Sequence, residues 1–193
     1  MTAYRSTSYI PPLVRRAINL ANQMQIKTAC TDSIGRLLQL MVNQYQSGVI
    51  AEIGTGCGCG AAWIISALSP GCSFVTVEED AALAAVARAL FENYPNVRVM
   101  HGKWQDILFY KPFGFVYLNI NLVDESAREP LLQSLRIGGT IVLSGMVPQD
   151  SLPVELRQHI DPVRDFWLND PRLLATELPI NQAEALVVAS RVG

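Results

Sequence analysis

Between Glu52 and Gly60 the segment AEIGTGCGCGAAW carries one carboxylate, glycines at 54, 56, 58 and 60, and thiols at 57 and 59. Three kinds of site fit such a stretch. Glycines free to take positive φ, with no side chain to obstruct a ligand, make a nucleotide cradle; paired thiols can begin a metal site; and the same glycines serve a tight turn with no ligand at all. A second acid weighs toward the cradle. Glu78 closes the segment SFVTVE, 20 residues after Gly58, where a carboxylate at the end of a second strand can accept hydrogen bonds from both hydroxyls of a ribose.

The thiols weigh little toward metal. Cysteines stand at 30, 57, 59 and 72 with no C-x-x-C spacing, and His101 and His159 are distant in sequence, so no metal ligands are assigned and zinc is disfavoured. Cys57 and Cys59 read as reduced, compact side chains where bulk beside the glycines would close the loop. Residues 56–61 also fit the dinucleotide pattern G-x-G-x-x-A, which keeps a nicotinamide cofactor in view. Glu52 just ahead of the turn, giving E-x-G-x-G-x-G, argues for a different cofactor.

The elements that must position these residues follow from periodicity. Residues 11–25 and 32–46 place apolar side chains at helical spacing, with Thr31 and Asp32 as cap candidates for the second helix. From Val49 onward, short apolar strands (VIAEI, SFVTVE, VRVMHG, FVYLN, TIVLSGM) alternate with helices, one of them capped by Asp80 and another near 154–168. This alternation predicts a Rossmann-like, doubly wound α/β sheet, parallel and covered on both faces. LLATELPI and EALVVASR are separated by a polar turn around Asn181 and Gln182, so they pair as an antiparallel hairpin and complete seven strands. The expected organisation is a single domain over residues 1–193, with N-terminal helices to residue 46 and the sheet core from residue 47.

Composition limits the partners. Half of the residues are apolar, 17% are charged and the net charge is −2 with no long run of one sign, which points away from nucleic acid. No apolar run reaches the roughly 18 residues of a membrane span, and MTAYRSTSYIPPL lacks an apolar signal segment. A cytoplasmic protein with a small-molecule partner is expected, and a homodimer is left open.

AEIGTGCGCGAAW followed by VTVEED resembles the first two motifs of the class I S-adenosylmethionine-dependent methyltransferases, in particular the small O-methyltransferases similar to catechol and caffeoyl-CoA O-methyltransferases. The likeness runs from about Ala29 to Ser190. It implies that Glu52 and the loop of Gly54, Thr55, Gly56 and Gly58 face the methionine part of S-adenosylmethionine, and that Glu78 faces the ribose. By the same resemblance CTDSIGRLL puts Thr31 and Asp32 near the cofactor's carboxylate and amine, and HGKWQDIL sets Gly102, Lys103, Trp104 and Gln105 around the adenine. Blander readings stand beside these. Thr31 and Asp32 cap a helix, Trp104 belongs to the core, Lys103 is a solvated charge, and His101 is a strand-end histidine.

Metal-dependent members of the resembling family hold a divalent cation with an aspartate ending the fourth strand and an acidic pair ending the fifth, and use a lysine to deprotonate the acceptor. Here Asn119, Ser144, Gly145 and Leu122 stand at those places. A neutral amide and a hydroxyl do not offset the dehydration of magnesium or calcium, so methyl transfer without a metal is expected, by positioning of an already nucleophilic thiol, amine or acidic phenol. Asn119 and Asn121 either hydrogen-bond the acceptor or the cofactor amine, with Asn119 the one catalytic candidate, or form a polar strand-to-helix turn. HIDPVRDFWLNDPRLL, residues 159–174, is either an acceptor lid carrying Arg164 and Trp167 or an ion-paired helix over a buried tryptophan. The functional expectation is a methyltransferase acting on a small molecule. Its rivals are a cofactor-binding descendant without activity and an NAD(P)-dependent oxidoreductase.

Overall fold

The structure, a computed structural model, describes residues 9–26, 30–157 and 161–193. Strands β1 (Gly48–Ile53), β2 (Cys72–Glu78), β3 (Val97–His101), β4 (Phe113–Asn119), β5 (Leu135–Met146), β6 (Leu173–Asn181) and β7 (Glu184–Arg191) form one sheet in the order β3-β2-β1-β4-β5-β7-β6. The first five are mutually parallel, and β7 is antiparallel to both β5 and β6. The order reverses at β1, between β2 and β4, which is where a doubly wound sheet opens a crevice beyond its carboxyl ends.

Side chains alternate across the sheet as the strand period requires. Ile50, Phe115, Tyr117 and Val142 enter the core on one face, while Ala51, Val116, Leu118 and Leu143 enter the core on the other. Helices α1 (Pro12–Gln23), α2 (Asp32–Val42) and α3 (Cys59–Ile65) cover the first face. Gly35 lets α2 press its backbone onto the Trp63 indole of α3, since a Cβ there would overlap the ring. α4 (Ala81–Leu90) follows β2 and is capped as expected by Asp80, whose carboxylate accepts the N–H groups of Ala82 and Leu83. α5 (Arg128–Ser134) and α7 (Pro162–Asn169) cover the second face, with Leu131 and Trp167 fully buried.

Three local expectations change. Thr31 occupies the cap position of α2 without a capping side-chain bond; its hydroxyl instead approaches Glu184 Oε2 at 3.5 Å. α2 ends at Val42 rather than near residue 46. The single helix expected over 154–168 is two, α6 (Val154–Arg157) and α7, because Pro162 can open a helix but cannot continue one. Asp161 caps α7 by accepting from the N–H groups of Val163 and Arg164. His159 lies outside the described residues. Among the described residues no helix is long and apolar enough to cross a membrane.

Candidate functional site

Two adjoining cavities of about 300 and 230 Å³ open beyond the carboxyl ends of β1, β2 and β4, sharing Ile53, Gly54, Glu78 and Leu122 as their common wall. The first is lined by Cys30, Glu52, Cys59, Tyr117 and Asn119, together with the loop from Gly54 to Cys57; Gly102 and Trp104 line the second. This crevice is the switch point of the sheet.

The glycine loop is fastened at both ends. The N–H groups of Gly54 and Thr55 donate to the Val77 carbonyl of β2 at 2.9 and 3.3 Å, and Gly58 N–H donates to the Thr55 carbonyl at 2.9 Å. Gly54 has φ 87°, and a methyl group on it would overlap Leu122 Cδ1. Gly58, at φ 90°, does not line either cavity; it brings the start of α3 against Phe91, whose ring lies 2.8 Å from where a Cβ would stand. Gly60 lets the carboxyl of Glu52 lie against the backbone of α3, because a Cβ there would overlap Glu52 Oε1.

Glu52 is 1% exposed. Its Oε2 accepts the Thr76 hydroxyl at 2.7 Å, and the hydroxyls of Thr76 and Thr55 share a hydrogen bond at 2.6 Å. Burial, with a smaller contribution from the charge of Glu78, pushes the Glu52 carboxyl up to about 8 against the opposing Thr76 hydrogen bond. Glu78 is tied from both oxygens. Oε2 accepts Gly56 N–H at 2.7 Å and Oε1 accepts Asp80 N–H at 3.0 Å. Among the described residues that line the two cavities there are four carboxylic side chains, Glu52, Glu78, Glu79 and Asp80, and no lysine or arginine.

Of the four residues to which the resemblance assigned the places of metal and base, Asn119, Ser144 and Gly145 meet at the ends of β4 and β5. Asn119 Oδ1 accepts Asn121 N–H at 3.0 Å, Asn121 Nδ2 donates to the Gly145 carbonyl at 3.4 Å, and Ser144 Oγ donates to the Leu118 carbonyl at 3.3 Å. A Cβ at Gly145 would overlap Asn119 Oδ1. Leu122 is half exposed and leans on Gly54. The cluster is neutral and hydrogen-bonded within itself.

Of the sequence-derived candidates, Glu52, Gly54, Thr55, Gly56, Glu78, Gly102, Trp104 and Asn119 meet at the crevice. Thr31 and Asp32 are exposed and line neither cavity, whereas their neighbour Cys30 does. Lys103 is exposed and opens the 3-10 turn Trp104–Tyr110, its N–H donating to Asp106 Oδ2 at 2.8 Å; Gln105 also lies outside the lining. His101 is exposed at the end of β3. Arg164 is held away from the crevice by Asp161 at 2.6 Å, Glu177 at 2.7 Å and the Val147 carbonyl, over a fully buried Trp167. That arrangement is the ion-paired helix of the two sequence readings. Cys30 and Tyr117 line the first cavity without having been assigned to the site from the sequence, and Gly60 was counted among the loop glycines without a role.

No family model matches the chain. It is 32% identical over 97 residues to a protein-L-isoaspartate O-methyltransferase of Methanothermobacter thermautotrophicus, covering 49% of this chain and 44% of that protein. It is 24% identical over 106 residues to a Mycobacterium leprae protein named as a candidate O-methyltransferase, covering 51% and 47%. The chain thus spans about half the length of the curated relatives it matches. Among solved structures, the O-methyltransferase from Bacillus cereus in complex with S-adenosylhomocysteine superimposes with a TM-score of 0.76 at 21% identity, over 96% of this chain and 94% of that one. The fold is therefore the Rossmann-like methyltransferase fold, five parallel strands closed by an antiparallel hairpin.

Proposed function

We propose that this chain is an S-adenosylmethionine-dependent methyltransferase that acts on a small-molecule acceptor and uses no divalent metal. The observation that carries the reading is the carboxylic lining of the crevice. Among the described residues its lining holds the carboxylic side chains of Glu52, Glu78, Glu79 and Asp80 and no basic ones, which suits a ligand bearing a sulfonium and an ammonium better than the pyrophosphate of a nicotinamide dinucleotide. The similarity to O-methyltransferases supports the same cofactor.

The residues fit the group. S-adenosylmethionine bound there would supply an electrophilic methyl. Glu78, already oriented by two backbone N–H groups, would exchange part of that bonding for ribose hydroxyls. Trp104 and Gly102 would flank the adenine in the second cavity, and the first cavity, ending on Glu52 and Tyr117, would take the methionine part. Asn119, in the lining of the first cavity, would orient the acceptor. A neutral cluster of Asn119, Asn121, Ser144 and Gly145 offers a cation no anionic ligand, so rate enhancement rests on placing a thiol, amine or acidic phenol in line with the methyl group.

Methyl transfer from labelled cofactor to panels of thiols, amines and phenols tests the proposal. Turnover that persists in chelator supports it. Tight cofactor binding with no turnover on any acceptor would make the protein a binder that has lost the chemistry.

A further inference from the structure

The GCGC stretch has a property the cofactor cradle does not need. Cys57 and Cys59 flank Gly58, which stands at φ 90°, and both residues line the same cavity. They are 3% and 5% exposed, reachable by a small molecule entering the crevice and shielded from anything larger. Partnership with Cys59 and with nearby backbone N–H groups holds the Cys57 thiol below its ordinary range against the opposing effect of burial, while Cys59 is held up by the same partnership and by burial. One sulfur is thus set to attack and the other to follow. Cys72, by contrast, donates to the Tyr45 carbonyl at 3.4 Å and lines neither cavity.

We propose that Cys57 and Cys59 form a peroxide-sensing dithiol that closes to a disulfide across Gly58 and thereby shuts the first cavity. The chemistry balances with a hydroperoxide as the oxidant. The Cys57 thiolate attacks the peroxide oxygen, the O–O bond breaks, and Cys57 becomes a sulfenic acid with release of water or an alcohol. Cys59 then attacks the Cys57 sulfur, the S–O bond breaks, and hydroxide leaves with the Cys59 proton as water. Two thiols lose two electrons and one peroxide gains them. Thiol–disulfide exchange with a dithiol reductant reverses the step.

The consequence for binding rests on the cofactor reading above. Drawing Cys57 toward Cys59 reshapes the loop at Gly56, whose N–H holds Glu78 at 2.7 Å. The oxidised form should then lose the brace and the space together.

The full chain treated with hydrogen peroxide, followed by peptide mapping without reduction, tests the pair directly. The expected product is a peptide lacking two hydrogens and carrying a Cys57–Cys59 bridge, absent from Cys57→Ser and still formed in Cys30→Ser. In Cys59→Ser the reaction should stop at a Cys57 sulfenic acid, captured by dimedone. Affinity for S-adenosylhomocysteine should fall about tenfold or more on oxidation and return with dithiothreitol. A bridge that uses Cys30 or Cys72 would overturn the proposal, as would a Cys57 sulfenic acid that accumulates equally with and without Cys59. A Cys57–Cys59 bridge that leaves affinity unchanged would overturn the closure. If the bridge forms but S-adenosylhomocysteine binds neither form, the dithiol stands and the cofactor reading fails.

Discussion

Glu78 and Gly56 are joined by a hydrogen bond of 2.7 Å, from the loop N–H to carboxylate Oε2, while Oε1 accepts the N–H of Asp80 at 3.0 Å. One side chain therefore fixes the glycine loop against β2 and presents its remaining lone pairs to the crevice. Hydrogen bonds to a carboxylate contribute about 1.5–3 kcal/mol, so Glu78→Ala should weaken S-adenosylhomocysteine binding by about tenfold or more. Glu78→Gln, which keeps one acceptor oxygen, should fall between the two. Titration calorimetry on folded protein checks both, and equal affinities in all three would remove Glu78 from the site.

The loop glycines should separate by position. Gly54→Ala sets a methyl group onto Leu122 at a φ of 87°, whereas Gly56→Ala meets no atom within 4 Å and opposes only a φ of 54°. Gly54→Ala is expected to cost about 1–3 kcal/mol of stability and to reduce binding strongly; Gly56→Ala should cost about 1 kcal/mol. Chemical denaturation alongside cofactor titration separates the effects. A Gly56 variant as damaged as the Gly54 variant would show that more than backbone strain acts there.

Burial raises the Glu52 carboxyl from its ordinary 4.5 to about 8, which fixes the sign of a pH dependence. Between these values the unfolded chain releases the proton and the folded chain keeps it, so stability falls as pH rises, by on the order of 1 kcal/mol per pH unit, and levels off above about 8. Glu78 adds to the shift and the Thr76 hydroxyl opposes it, with Cys30, Cys59 and Tyr117 facing the same space. Urea unfolding from pH 5 to 9 should show this slope in the parent and a flatter one in Glu52→Gln. Stability that rises with pH in the parent alone would contradict a buried, protonated Glu52.

The succession of strands and helices and the terminal hairpin were legible because each buried strand is a short apolar run between helical patterns, whereas the order of strands in the sheet was not read; Glu52 and Glu78 were legible because they stand near the ends of such runs. Tyr117 was not. It pairs with Glu52 only through the β1–β4 register, a contact between residues far apart in sequence. Cys30 was read for its spacing to other cysteines rather than for the way the segment ahead of α2 reaches the crevice. Thr31 and Lys103 were assigned to the cofactor by motif position, whereas in the structure the Thr31 hydroxyl reaches Glu184 on β7 and the Lys103 N–H donates to Asp106.

The neutral cluster around Asn119 predicts indifference to metal. Chelator should alter neither cofactor affinity nor turnover, and Asn119→Asp with Ser144→Asp should confer magnesium or calcium affinity, since Ser144 pairs directly with Asn119 across β4 and β5. Calorimetric titration of the cations into both proteins reads the gain. A stoichiometric divalent metal near Asn119 in the parent, needed for turnover, would restore the metal-dependent mechanism.

The central claim is that the crevice lined by Glu52, Glu78, Glu79 and Asp80 binds S-adenosylmethionine. Titration calorimetry of the reduced full chain against S-adenosylmethionine, S-adenosylhomocysteine and NAD tests it most directly. The account predicts saturable, one-site binding of both adenosyl compounds and none of NAD. Binding of NAD, or failure of both adenosyl compounds to bind folded, reduced protein, would contradict it.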